Sequence, residues 1–128
     1  MLDTCPFCDP SQDRIWFDHS TGIVLWDAFP VSQGHALVVA KQHVASLYDL
    51  PMEAQTAMWQ LVVDVRSRFQ EKHQPHGFNI GLNDGVAAGQ TVMHAHIHVI
   101  PRWNDDVPDP RDGIRWVTPE KARYWGDE

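Results

Sequence analysis

Apolar residues recur along the chain with two different periods, and each change of period marks an element. Ala54, Ala57, Met58, Leu61, Val62, Val65 and Phe69 repeat every 3.6 residues, while Asp64, Arg66, Ser67 and Gln70 to Lys72 take the other side. That stripe predicts one long amphipathic helix. Pro51 suits its first turn, Glu53 complements the positive end of the dipole, and Pro75 and Gly77 stop it between His73 and Gly77. Elsewhere the period is two. Phe78, Ile80 and Leu82 alternate with Asn79, Gly81 and Asn83, a half-buried strand that runs into the turn Asn83-Asp84-Gly85. Ile23–Asp27 and His35–Ala40 read as two more strands, joined through Phe29-Pro30-Val31-Ser32, and Ser46–Asp49 reads as a short helical turn. A small-residue loop, Val86–Gly89, leads into the sharpest pattern, His94-Ala95-His96-Ile97-His98-Val99-Ile100-Pro101-Arg102. On a strand its three histidines share one face, about 6–7 Å apart, while Ala95, Ile97 and Val99 face a core. Antiparallel strands with one long helix packed across them give an α+β fold.

Length and charge narrow the picture. The 128 residues suit a single domain over 1–128, with its core at about 5–102 and an irregular tail at 103–128. That tail carries Pro108, Pro110 and Pro119, and its Trp103, Trp116 and Trp125 suggest that it docks, with a partner subunit as one candidate surface. A formal net charge of −7 argues against nucleic acid as the main partner, yet one local site still suits a small phosphorylated ligand. Met1-Leu2-Asp3-Thr4-Cys5 has no basic region before an apolar run, so no secretory signal is expected. The apolar runs also fall far short of the ~20 residues that cross a bilayer. The expected setting is cytoplasmic, away from membranes.

A row of neutral imidazoles can bind metal, attack phosphorus or pass protons. Two cysteines occur, as Cys5-Pro6-Phe7-Cys8. So few residues precede Cys5 that a thioredoxin-like strand does not fit, and the pair reads better as half a zinc site in need of two more ligands. Asn83 is good turn chemistry in its own right.

Asn83-Asp84-Gly85, Gly89-Gln90-Thr91-Val92 and His94 to Arg102, in that order and spacing, closely resemble the histidine triad (HIT) family of nucleotide hydrolases and transferases. Gly34-His35-Ala36-Leu37-Val38-Val39 and Lys41-Gln42-His43 resemble its second strand and following turn, so the likeness runs from about Cys5 to Arg102. It implies a HIT-like antiparallel sheet and a nucleotidyl-histidine intermediate formed on His96, with His98 at the phosphate and leaving group. It further implies Asp27 on the ribose hydroxyls, and Asn83, Gly89, Gln90 and Thr91 as neutral donors to phosphate. Leu25, with Phe7 and Trp16, would wall the base, and His35 would buttress the triad. In zinc-carrying bacterial members the CxxC thiolates join two histidines, here Cys5, Cys8, His43 and His94, in a closed structural zinc site. No organic cofactor is implied. His19, His73 and His76 receive no role.

The Gly-Gln-Thr and Ile-Pro-Arg elements lean toward the branch that cleaves dinucleoside polyphosphates such as diadenosine tetraphosphate. Its purine-nucleotide substrate would bind a homodimer joined through the long helix and the strand Phe78–Asn83. The alternative within the family is an adenosine monophosphate phosphoramidase. Outside it stand a metallohydrolase with His96 and His98 as ligands, and a nucleotide-binding protein without turnover.

Overall fold

A computed structural model describes residues 5–126; the reading of Met1-Leu2-Asp3-Thr4 lies outside them. Five antiparallel strands form one sheet in the order β1-β2-β3-β5-β4. They are β1 (Ile15–Asp18), β2 (Gly22–Trp26), β3 (Ala36–Ala40), β4 (Gly77–Gly81) and β5 (His96–Arg102). One helix, α1 (Met52–His73), crosses a face of the sheet and turns Met58, Leu61, Val62, Val65 and Phe69 inward. They meet Val24, Val38, Ile97 and Val99, so that face is a dry apolar layer. Pro75 disfavours the right-handed region at the residue before it, and Gln74 closes α1 in the left-handed one (φ 50°). Among the described residues no helix is long and apolar enough to cross a membrane.

Strand β1 is not among the expected elements, because consecutive Ile15-Trp16-Phe17 shows no alternation. A register shift between Ile15 and Phe17 sends both Trp16 and Phe17 to the helix-side layer. Trp16 stacks there on Trp26 at 4.4 Å, so the expectation that it walls the base does not hold.

β3 is buried along its whole length, with one set of side chains under α1 and Leu37 and Val39 on the opposite face with Phe7 and Leu25. That second face carries the histidines. Gly34 secures the entry to β3: its φ is +90°, and a Cβ there would lie 2.2 Å from the Phe69 ring. Only glycine lets the chain pass over Phe69 and aim His35 at the histidine face.

The tail is mostly irregular but tied down. Arg102 pairs with Asp106 through two 2.7 Å contacts. Short 3-10 turns follow at Gly113–Val117 and Pro119–Lys121, Arg115 Nε donates to the Ala122 carbonyl at 3.0 Å, and Ala122 is fully buried.

Candidate active site and metal centre

Four distant residues converge at one end of the histidine face. Cys5 Sγ lies 3.3 Å from His94 Nδ1, Cys8 Sγ 2.9 Å from His43 Nδ1 and 3.6 Å from His94 Nδ1. The four ligand atoms all fall within 4.8 Å of one another. His94 precedes β5, and its imidazole is completely buried, with Nε2 2.7 Å from the Ala40 carbonyl. Nε2 must therefore carry the proton, which leaves the Nδ1 lone pair facing the sulfurs. Burial also pushes the His94 pKa down and keeps that lone pair free. Two thiols and two imidazoles at this spacing suit a tetrahedral, closed zinc site, and the Ala40 carbonyl is the outer partner that orients such a ligand.

The next histidines sit on β5, where every second residue is buried. His96 has Nδ1 2.7 Å from the His94 carbonyl. The carbonyl can only accept, so Nδ1 holds the proton and Nε2 keeps its lone pair. Phe7 packs edge-on against the His96 ring, with centroids 4.8 Å apart at 74°.

His98 belongs to a second chain of contacts. The Val31 amide donates to His35 Nδ1 at 3.1 Å, which places the His35 proton on Nε2. His35 Nε2 lies 2.9 Å from His98 Nδ1 and 3.3 Å from Asp27 Oδ2. His98 thus accepts at Nδ1 and carries its own proton on Nε2. Burial, reinforced by His96 and His35, pushes the His98 pKa down to about 4, and burial lowers His35 as well. His98 is therefore neutral at physiological pH, with one N–H to offer.

The other expected residues divide. Asp27 stands beside His35 and accepts the Phe29 amide at 2.8 Å through Oδ1. Asn83 Nδ2 donates to the Ala88 carbonyl at 2.7 Å, which folds the loop so that Gly89 adopts φ +91°; Thr91 is exposed. Gln90 does not point outward. It is buried, accepts from the Gly85 amide at 2.8 Å and donates to the Ala45 and Val92 carbonyls at 2.8 and 3.0 Å. With both ends of its amide engaged, it braces the loop and leaves nothing for a phosphate. Leu25 is fully buried among Phe7, Leu37 and Val39, so it lies beneath the site and offers no surface. The Val31 amide, which sets the His35 tautomer, was not anticipated. A backbone donor leaves no mark in a sequence, and only the turn chemistry of Pro30 to Gly34 pointed to a built loop.

Comparison with known proteins gives this geometry a family. The HIT domain model matches residues 11–105. The chain belongs to the HIT family. An uncharacterised HIT-like protein of Mycoplasma pneumoniae is 39% identical over 79% of this chain and 73% of its own. The bis(5'-adenosyl)-triphosphatase of Dictyostelium discoideum is 37% identical over 71% of this chain and 61% of its own length. The adenosine 5'-monophosphoramidase hnt1 of Schizosaccharomyces pombe is 33% identical over 98% and 95% of the two chains. Among solved structures, a HIT family member from Bacillus subtilis superposes with a TM-score of 0.72 at 28% identity, covering 80% of this chain and 76% of that one. A zinc-bound histidine triad protein from Mycobacterium smegmatis gives 0.66 at 35%, covering 73% and 72%. The five-stranded antiparallel sheet with its single helix is thus the HIT fold, and relatives of this HIT chain include named nucleotide-cleaving enzymes.

Proposed function

We propose that this HIT protein hydrolyses dinucleoside polyphosphates at the α-phosphorus of a purine nucleotide, with His96 as the nucleophile. The observation that carries the reading is the His96 tautomer: Nδ1–H on the His94 carbonyl and a bare Nε2 beside His98. Attack by Nε2 forms a P–N bond as the bond from phosphorus to the leaving oxygen breaks. The imidazolium so formed keeps Nδ1–H on the His94 carbonyl, which stabilises the new positive charge. Water then forms a P–O bond while the P–N bond breaks. One of its protons stays on the released nucleotide and the other passes to solvent, restoring neutral His96.

The protonation of His98 favours a polyphosphate leaving group. An amine expelled from phosphorus must gain a proton, whereas a polyphosphate leaves as a stable anion. A histidine held neutral down to about pH 4 supplies a hydrogen bond rather than a readily given proton. Asp27 lies beside this pair as the candidate ribose acceptor, and Asn83, Thr91 and the Gly89 backbone are the candidate phosphate donors. Against a catalytic metal on Asp27, His35 and His98 stands the Val31 amide, because it puts the His35 proton on the nitrogen that would have to ligate. In the clasp, Cys5, Cys8, His43 and His94 would hold zinc, which supplies a structural cross-link between the N-terminal segment and the sheet.

The exposed apolar Trp59 and Val63 on α1, and Ile80 on the edge strand β4, support a homodimer through those elements. A phosphoramidase keeps its place as the second reading, because the Schizosaccharomyces pombe phosphoramidase matches almost the entire chain. Rates on diadenosine tetraphosphate and adenosine phosphoramidate, measured side by side for the wild type and His96→Ala, test both. The tetraphosphate should be cleaved faster and the variant should cleave neither. A strong preference for the phosphoramidate would exchange the two readings, and near-normal turnover in the variant would end them.

A further inference from the structure

Past His98 the histidine face continues along β5 into a cavity of about 460 Å³. Gly81 pairs with His98 across the sheet, and a Cβ there would meet nothing within 4 Å, so the space beside the imidazole stays open. Ile100 lies in the floor. The tail forms the far wall, through Ile114 and Val117, which are 71% and 80% exposed. Val31, 72% exposed, flanks it beside the loop that orients His35. Apolar side chains held open around one hollow next to His98 mark a place for an apolar ligand group.

Charge narrows the occupant further. The charged residues lining the hollow are Arg102 and Asp106. Three of the five guanidinium N–H groups are engaged: Nε and Nη2 each donate at 2.7 Å to Asp106, and Nη1 donates at 2.6 Å to Asn79 Oδ1. The bidentate Asp106 carboxylate neutralises this guanidinium and occupies its Nε–Nη2 edge. The hollow thus offers a polyphosphate no unpaired cation, and its lining suits an uncharged occupant. The same pair turns the chain back over the sheet after β5, and Arg115 clamps the next stretch onto the buried Ala122, so the apolar wall is a built part of the fold.

We propose that this hollow binds the leaving group of the substrate and selects for one that carries a flat, uncharged ring. The inference rests on the reading that His96 attacks phosphorus: the scissile bond lies over His96 and His98, and the ring of the departing fragment lies against Ile100, Ile114 and Val117. Two kinds of ring share this chemistry, a nucleobase and an aryl group.

The test compares kcat/KM of the wild type with Ile114→Asp and Val117→Asp on three substrates that share one adenosine. Diadenosine triphosphate carries a nucleobase on its leaving group, the naphthyl ester of adenosine monophosphate carries an aryl ring, and adenosine 5'-phosphorofluoridate carries none. Each variant should lose tenfold or more on at least one ringed substrate, and whichever falls identifies the ring. The fluoridate, with nothing to seat in the hollow, should change less than twofold. Parallel calorimetric titrations with a methylene-bridged diadenosine triphosphate and with adenosine monophosphate read the pocket without chemistry. The bridged compound alone should bind the variants more weakly. If the wild type cleaves nothing, the reaction falls and these affinities still judge the hollow. Equal changes across all substrates, or unchanged affinity for the bridged compound, would overturn the proposal. So would a change of molar mass in light scattering of the variants, because it would give the two side chains to a second copy of the chain.

Discussion

The neutral state of His98 makes stability depend on pH in a direction that can be worked out beforehand. Folding lowers this pKa from 6.5 to about 4. The unfolded chain therefore binds more protons in that window, and the stabilisation is complete above pH 6.5 and lost as pH falls toward 4. At pH 5 the unfolded site is almost fully protonated and the folded site about one-tenth so, which amounts to roughly 2 kcal/mol lost relative to pH 7.5. For a chain of this length, that is a fall in Tm of about 7 °C. Zinc ligands protonate in the same range, so the informative quantity is a difference. Thermal unfolding of the wild type and His98→Gln, both with zinc in excess, should be followed at pH 7.5, 6 and 5. The variant loses the titrating group, and its Tm should fall about 7 °C less than the wild type's over this interval. Parallel curves would refute the claim that burial and the His35 contact hold His98 neutral.

The remaining predictions concern the frame. Gly34→Ala drives a methyl group into the Phe69 ring in a left-handed conformation, and should cost about 3 kcal/mol or more in urea unfolding; a loss under about 1 kcal/mol would refute that packing. Cys5→Ser with Cys8→Ser should reduce zinc from about one equivalent per chain to none by elemental analysis, and should lower Tm. An unchanged Tm after metal loss would show that the clasp does not brace the fold.

Much of this arrangement is legible in the sequence wherever one element dictates its own pattern. The stripe from Ala54 to Phe69 becomes α1, and the alternation in 96–101 becomes β5, because burial on one face imposes its period locally; β4 forms where the alternation in 78–82 places it, although its Ile80 is exposed. Strand β1 was hidden by its bulge, which turns Trp16 and Phe17 to the same layer. The family resemblance makes Gln90 a phosphate donor, and only the fold reveals that the Ala45 and Val92 carbonyls consume its amide. The meeting of Cys8 with His43 and of His35 with His98 spans 35 and 63 residues of chain, distances over which local pattern is silent. Family resemblance suggested those groupings; the tautomers that give them chemistry needed the Val31 amide and the His94 carbonyl in place.

The central claim is a covalent bond between His96 Nε2 and the nucleotide's α-phosphorus. Wild-type protein mixed with diadenosine tetraphosphate, quenched in base within milliseconds and weighed intact, tests it most directly. A mass gain of one adenylyl group, mapped by fragmentation to His96 and absent from His96→Ala, is the predicted result. Rapid hydrolysis with no adduct at any quench time, or an adduct mapped to His98, would contradict it.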